Sequence, residues 1–239
     1  MHETLDKNSL YVAADILFLT VKNRHLYLLL SRRTQEPNKG LWALPGCLVN
    51  VDESAEEAIR RLTNEMLPGA EGYFEQLYTF TDTDRDARGR VVSIAYLAIV
   101  PQAELERIKS MGGMTPFELG MDEHGVLLTG ADGQQLKADE IAFDHAKIIQ
   151  TGIVRLRGKI EYTSIGLRFL GDKSRFTMNE LEGIFEAVLG AKADKSNFRR
   201  FIRNRYTDAG KIVSLGEIEK QGRGRPAVLY DWKEREEEA

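Results

Sequence analysis

The stretch LPGCLVNVDESAEEAIRRLTNEM, residues 44–66, combines a proline-glycine turn, a short polar loop and an amphipathic segment. From Ala55 to Met66 the apolar side chains recur at steps of three and four residues, which is the period of a helix with one buried face. Ser54 followed by Glu57 has the spacing of a capping box, the pattern that begins many helices. The stretch therefore predicts a loop and a helix packed on a sheet.

Charge divides the chain into two parts. The 239 residues carry a net charge of −4. Residues 1–143 hold 14 basic and 22 acidic side chains, whereas residues 144–239 hold 19 basic and 15 acidic ones. Within residues 192–225 there are 10 basic side chains against 4 acidic ones. An acidic part joined to a basic part predicts two domains, the second of which meets a polyanion, although a solvated basic surface gives the same count.

The composition, with 42% hydrophobic and 29% charged residues, is typical of a globular protein. A single cysteine, Cys47, excludes an intramolecular disulfide and fits a reducing compartment. The N-terminal residues lack the pattern of a secretory signal, and no run of about eighteen apolar residues occurs. We therefore expect a cytoplasmic protein without a membrane segment.

Apolar runs of strand length surround the predicted helix and indicate a mixed α/β first domain. A short helix is predicted at 103–111 and a small hairpin over 125–138. The predicted strands cover residues 12–21, 26–33, 75–80 and 91–100, with a short extended segment at 41–45.

The second part begins with a basic, mainly helical stretch over residues 144–170. One helix is predicted from the N-cap Thr177 to Gly190, and another begins after Asp194. Strand-like segments then enclose QGRGRP. Helix, short turn, helix and hairpin in this order predict a winged helix-turn-helix.

The second of these helices carries the donors needed to read base edges in a major groove, while Phe198 and Ile202 are expected to pack inward. Arginines at the tip of the hairpin, between glycines, suit a phosphate backbone or a narrow minor groove. A solvated basic helix is the alternative. The candidate DNA-binding side chains are Lys195, Ser196, Asn197, Arg199, Arg200, Arg203, Arg223 and Arg225.

Residues 44–66 resemble the Nudix box, a loop–helix–loop that holds a divalent metal against a substrate diphosphate. The box places a glutamate six residues after a glycine and an Arg-Glu pair that begins eight residues after that glutamate. Two further residues then separate this pair from a Glu-Glu pair. Glu53, Arg61 and Glu65 match this pattern. Gly46 keeps the first of the two usual glycines, and Cys47 replaces the second.

Leu62 and Met66 stand where the box has glutamates. Positions 62, 65 and 66 share one helical face, where three carboxylates could hold Mg²⁺. One glutamate between a leucine and a methionine is not expected to do so. We therefore predict no catalytic residues, no metal and no required cofactor, with some surviving hydrolase activity as the alternative. Glu53 and Arg61 can still form an ion pair that braces the loop.

The segment SRRTQEPNKGLWALPG, residues 31–46, resembles the one that precedes the box in ADP-ribose pyrophosphatase-like proteins. Arginines that follow a strand, or that lie in the loop TDTDRDARGR, could clamp a diphosphate. Trp42 offers a ring for stacking or for the core. The candidate effector-binding side chains are Arg32, Arg33, Trp42, Gly46, Cys47, Glu53, Arg61, Glu65, Arg85 and Arg88.

Together with AFDHAKII, VRLRGKIEYT, FEAVLG, KSNFRR and GRGRPA, these segments make nearly the whole chain resemble the Nudix-related transcriptional regulators (NrtR). The resemblance implies an α+β fold of two domains. Residues 1–146 would form a Nudix-like α/β/α sandwich with a mixed sheet that senses an effector. Residues 147–239 would form a linker helix and a winged helix-turn-helix.

The resemblance further implies a homodimeric repressor of genes for NAD synthesis or salvage. It would bind a palindromic operator in double-stranded DNA and respond to ADP-ribose or a related nucleotide. Two alternatives stay open: an active Nudix hydrolase with an accessory basic domain, and a sugar-responsive regulator of the same architecture.

Overall fold

A computed structural model describes residues 6, 8–69, 72–122, 125–219 and 226–233. In the first domain the described strands form one mixed sheet with the order β5-β6-β1-β2-β7-β8-β9, in which β3 pairs with β2 and β4 with β1. Only β1 and β6 run parallel among these named strand pairs. The strands are β1 (Leu10–Lys22), β2 (His25–Arg32), β3 (Trp42–Ala43), β4 (Gly46–Leu48), β5 (Tyr73–Phe80), β6 (Arg90–Ile99), β7 (Thr115–Asp122), β8 (Gly125–Thr129) and β9 (Gln135–Leu136).

Helices cover both faces of this sheet. Helices α1 (Ala55–Met66) and α2 (Glu104–Met111) pack on one face, and α3 (His145–Ile160) packs on the other. Strand β1 shows why both faces need cover. Its residues Ile16 and Phe18 belong to the cluster under α1, whereas Leu17 and Leu19 belong to the cluster under α3. Successive side chains of a strand point to opposite faces, so a strand buried on both sides is apolar throughout.

The predicted start of α1 is confirmed. The Ser54 side chain accepts a hydrogen bond from the backbone N–H of Glu57, and the Glu57 carboxylate accepts one from the backbone N–H of Ser54. The face that packs on the sheet includes Ala58, Ile59 and Leu62, as the periodicity predicts.

One feature of the first domain differs from the prediction. Strand β7 was not predicted, because Pro116 and Gly120 within it are residue types that disfavour strand interiors. The prediction that residues 144–170 are mainly helical is confirmed, since α3 runs to Ile160 and a separate 3₁₀ helix, Ser164–Phe169, follows.

The second domain has the predicted winged-helix order. Its helices are α4 (Met178–Leu189) and α5 (Lys195–Ile202), and its strands are β10 (Phe176–Thr177), β11 (Ile212–Glu219) and β12 (Ala227–Trp232) in the order β10-β12-β11. Thr177 caps α4, Gly190 ends it in the left-handed conformation (φ +70°), and the Asp194 side chain accepts from the Asn197 N–H to cap α5. The α+β class with two such domains is therefore confirmed.

The two domains share a continuous hydrophobic cluster that runs from Leu17 in the sheet to Trp232 in the wing strands. Polar contacts reinforce it. Arg24, in the turn between β1 and β2, pairs with Glu186 of α4 at 2.5 Å and lies 3.6 Å from the buried Glu182. Arg157 of α3 donates to the carbonyl of Val188 at 2.8 Å. The winged helix is thus packed directly on the sheet.

Within the described part of the chain, no helix is long and apolar enough to cross a membrane.

Candidate effector pocket and nucleic-acid interface

A cavity of about 380 Å³ lies where β1, β2 and β4 meet the loop after β5 and the start of α3. This volume is within the range of small-molecule sites. Six of the ten predicted effector-binding residues line it, namely Arg32, Arg33, Gly46, Cys47, Arg85 and Arg88.

Phe143 brings two cations of the pocket together. The guanidinium carbon of Arg33 lies 4.6 Å from the centre of the Phe143 ring, and that of Arg88 lies 5.7 Å from it. Arg33 is half-buried, and burial together with the neighbouring Arg88 lowers its pKa. Arg88 pairs with Asp86 at 2.8 Å. Two cations held this close favour a ligand with more than one negative charge.

A buried polar network closes the inner end of the pocket. Arg85, whose side chain is 4% exposed, donates to both carboxylate oxygens of Asp144, at 3.0 Å from Nε and 2.7 Å from Nη2. The same Nη2 lies 3.4 Å from Asp15, which also accepts from the Ser93 hydroxyl at 2.5 Å. A buried arginine between two carboxylates fixes the start of α3 against β1.

His145 belongs to the same network. Its Nδ1 accepts a hydrogen bond from the backbone N–H of Leu44 at 2.9 Å, so the neutral ring carries its proton on Nε2. That nitrogen lies 3.7 Å from Asp15. Complete burial lowers the pKa of His145, which therefore stays neutral at pH 7.

A glycine is required at position 46 because the Asp15 side chain approaches the backbone closely there. A Cβ atom on Gly46 would lie 2.2 Å from an Asp15 carboxylate oxygen and 3.1 Å from the carbonyl of Ala14. Any larger residue would push Asp15 out of the network, so this glycine shapes the pocket through the space it leaves.

The box residues Glu53 and Arg61 form the predicted ion pair. Arg61 donates to both oxygens of Glu53, at 2.6 Å from Nη2 and 3.1 Å from Nε. The Asn50 N–H also donates to Glu53 at 2.9 Å, and Arg61 reaches the Leu48 carbonyl at 3.4 Å. The Arg61 hydrogen bonds, followed by the Asn50 one, lower the pKa of Glu53 to about 2. The pair ties the loop to α1.

We expect Glu53→Gln to flatten the acid dependence of stability. Because the folded-state pKa of about 2 lies below the ordinary value of 4.5, ionised Glu53 stabilises the fold above pH 4.5, and this contribution is lost as the pH falls towards 2. Thermal unfolding of both proteins from pH 7 to pH 3 measures this. An identical loss of melting temperature in the variant and the wild type would refute it.

The helix face that would hold a metal in a Nudix box does not fit Mg²⁺. Leu62 is 8% exposed and packs in the cluster under α1, and Met66 packs against the same cluster. Glu65 alone supplies a carboxylate, which is 61% exposed and lies 3.8 Å from Arg61. Among the described residues, no group of three or more His, Cys, Asp or Glu side chains could hold a metal ion. A hard divalent cation needs several oxygen ligands.

Four predicted residues lie away from the cavity lining. Trp42 packs edge-on against Phe117 with ring centres 4.9 Å apart, so it serves the core. The guanidinium carbon of Arg32 lies over the Trp42 ring, 5.5 Å from the ring centre. Glu53, Arg61 and Glu65 lie along α1 and its preceding loop, as described above.

The sequence reasoning missed Asp15, Asp86, Phe143 and His145, which line the cavity. Asp15 had a usable signal, because an acidic residue inside the apolar run VAADILFLTV needs a buried partner. Phe143 and His145 had none beyond the resemblance of AFDHAKII.

Helix α5 and Arg203, which directly follows it, present the described DNA-binding candidates on an exposed surface. Phe198 and Ile202 are buried, and the Phe198 ring packs against Phe185 with centres 5.2 Å apart. Arg200 donates to the Asn197 side chain at 3.0 Å. Arg223 and Arg225 lie outside the described residues. The exposed predicted side chains are Lys195, Ser196, Asn197, Arg199, Arg200 and Arg203.

A Nudix-type sandwich joined to a winged helix with a basic second helix defines a class of two-domain DNA-binding proteins. Residues 10–110 match the NUDIX domain family, and residues 168–232 match the NrtR DNA-binding winged helix domain. The chain therefore has the two domains of the Nudix-related transcriptional regulators (NrtR), which confirms the resemblance seen in the sequence.

Known proteins are similar over most of the chain. A protein of Acinetobacter baylyi, the ADPR responsive transcriptional repressor NtrR, is 29% identical over 231 residues, which cover 96% of this chain and 84% of that protein. The crystal structure of Shewanella oneidensis NrtR complexed with a 27mer DNA has a TM-score of 0.72 and 28% identity, with 93% of each chain covered. An ADP-ribose pyrophosphatase of Methanocaldococcus jannaschii is 29% identical over 149 residues, which cover 61% of this chain and 77% of that protein.

Proposed function

We propose that the protein is a transcriptional repressor of genes for NAD synthesis or salvage and that ADP-ribose, bound in the Nudix domain, changes its affinity for the operator. The observation that carries this proposal is the joining, in one packed chain, of the arginine-lined cavity to the exposed basic surface of α5. The similarity to the ADPR responsive repressor of Acinetobacter baylyi supports it.

The chemistry of the cavity suits a nucleotide diphosphate. Arg33 and Arg88 present guanidinium groups that can each donate two hydrogen bonds to a phosphate. Phe143, beside them, offers an aromatic ring to a base or a sugar face. The predicted site residues around the cavity are thus the ones proposed to bind the effector.

The protein acts as a sensor and not as a hydrolase. The side chains of Leu62 and Met66 contain no oxygen atom and pack in the cluster under α1. The helix face therefore lacks the carboxylates that position a metal at a diphosphate. The Glu53–Arg61 pair keeps the loop shaped without supplying a base to the cavity. The effector therefore binds without being consumed and needs no cofactor.

DNA binding is proposed to occur as a cytoplasmic homodimer on a palindromic operator. Two copies of α5, related by a twofold axis, would enter successive major grooves about one helical turn apart. The α5 side chains exposed in each copy would contact phosphates and base edges, with Arg223 and Arg225 proposed to contribute from the hairpin.

The test is fluorescence anisotropy with labelled DNA from upstream of neighbouring NAD-pathway genes, with and without ADP-ribose. We expect saturating ADP-ribose to change the operator dissociation constant by roughly 5- to 150-fold. An unchanged dissociation constant would sink the proposal.

Two further measurements separate the alternatives. Incubation with ADP-ribose and Mg²⁺ should not release AMP at the turnover rates of typical enzymes, roughly 1–1000 per second. Turnover at such rates would instead establish a hydrolase. In a thermal-shift screen ADP-ribose should raise the melting temperature, because a ligand that binds only the native state stabilises it. A shift with arabinose alone would indicate the sugar-responsive alternative.

A further inference from the structure

Helix α3 connects the cavity to the DNA-binding helix. Its N-cap residue, Asp144, is held by Arg85 of the cavity lining, and its first residue, His145, holds Leu44. Sixteen helical residues span about 24 Å at 1.5 Å per residue. The chain then reaches Tyr162 and Thr163, whose backbone carbonyls accept hydrogen bonds from residues that follow α5.

The far end of α3 is held by the continuation of α5. After Ile202 the helix passes into a π-helical turn, Arg203–Thr207. Within this turn the buried Tyr206 donates its hydroxyl to the Thr163 carbonyl at 2.7 Å, and Arg205 donates to the Tyr162 carbonyl. Two hydrogen bonds therefore join the turn that follows α3 to the turn that follows α5.

The near end of α3 depends on a shared cation. Arg85 lines the cavity, and its guanidinium makes its two short bonds to Asp144, with Asp15 further away at 3.4 Å. A diphosphate in the cavity would offer Arg85 acceptor oxygens of the same kind as a carboxylate, and its charge would repel Asp144. Ligand and helix thus compete for one guanidinium.

We propose that the effector diphosphate takes Arg85 from Asp144 and thereby releases the first turn of α3, which shifts α5. This proposal rests on the proposed function above. It makes Asp144 a positioning residue that senses the effector without touching it. The effector then binds the two positions of α3 with different affinity, which is the condition for any ligand to shift an equilibrium.

The decisive variant is Asp144→Asn in the full chain. The neutral amide holds Arg85 less strongly, so the variant adopts the effector-bound position of α3 without effector. Its operator dissociation constant should equal that of the wild type at saturating ADP-ribose, and added ADP-ribose should change it by less than about 2-fold against the roughly 5- to 150-fold change of the wild type. Operator anisotropy measures both.

Calorimetry with ADP-ribose separates this role from a merely structural one. Asp144→Asn should bind ADP-ribose at least as tightly as the wild type, because Arg85 no longer has to leave a carboxylate. A loss of tenfold or more in ADP-ribose affinity would show that Asp144 only supports the cavity and would overturn the proposal.

A second variant tests the far end, and a third serves as a control. Tyr206→Phe removes the hydroxyl that holds Thr163, so it should reduce the operator response to ADP-ribose while leaving ADP-ribose affinity without DNA within 2-fold. Asp82→Asn removes the exposed ion pair that Asp82 makes with Lys147, also in the first turn of α3, at 2.5 Å. This control should keep the wild-type response.

The outcomes distinguish the two proposals. Suppose that ADP-ribose changes the operator dissociation constant of the wild type and changes those of Asp144→Asn and Tyr206→Phe by the same factor. The proposed coupling through Arg85 and α3 is then wrong, while the proposed function stands. If the wild type itself does not respond, both are wrong.

Discussion

Replacing Arg85 with alanine is expected to lower the free energy of unfolding by about 3–5 kcal/mol. The side chains of Arg85, Asp15 and Asp144 are 4%, 8% and 14% exposed. Removing the cation leaves two carboxylates close together in a buried site, without the partner that offset their desolvation. Urea unfolding of the wild type and Arg85→Ala gives the difference directly.

The matched control is Arg60→Ala. Arg60 pairs with Glu56 at 2.9 Å on the surface of α1, and both side chains are exposed. Such solvent-exposed pairs contribute little to stability, so the control should unfold like the wild type. A loss below about 1 kcal/mol in Arg85→Ala would mean that the network relaxes around the missing cation. Asp144→Asn should lower the free energy of unfolding less than Arg85→Ala does, because Arg85 keeps its contact with the Asp15 carboxylate.

Replacing both Arg199 and Arg203 with alanine is expected to weaken operator binding by about 100-fold. Arg199 lies on α5 and Arg203 directly follows its last residue, and both side chains are exposed. The buried Phe198 and Ile202 fix the orientation of the helix. Each contact of an arginine with a base edge or phosphate is worth about 1.4 kcal/mol, which is tenfold in affinity.

Salt dependence shows which contacts are lost. If both arginines meet phosphates, the slope of log affinity against log salt should become shallower by about 1.8, at 0.9 for each neutralised phosphate. Arg60→Ala, on the other domain, should leave affinity and slope unchanged. Wild-type binding by the double variant would show that α5 does not contact the DNA, whereas unchanged circular dichroism would exclude unfolding as the cause of a loss.

Local patterns carried most of the fold prediction. The capping box at Ser54, the Thr177 cap and the apolar strand runs each act within a few residues, so they are readable from the chain. Strand β7 was missed because its pairing with β2 and β8 outweighs the local preferences of Pro116 and Gly120.

The site was less readable, because its parts come from distant segments. Arg85 and Asp144 are 59 residues apart, and Leu44 and His145 are 101 residues apart. The arginines could be proposed from residue type alone. Their partners could not, since a carboxylate or a histidine in the sequence does not show which cation the fold brings to it.

The continuous hydrophobic cluster between the sheet and the wing strands has a consequence for modularity. Phe169, Leu181 and Ile184 are buried in that cluster together with Leu19 and Leu26 of the sheet. An isolated winged-helix domain of this chain would expose a large apolar face, so we do not expect it to be stable as an independent DNA-binding domain. Unfolding should accordingly involve both domains in one cooperative step, and a ligand that stabilises the sheet protects the DNA-binding half from unfolding as well.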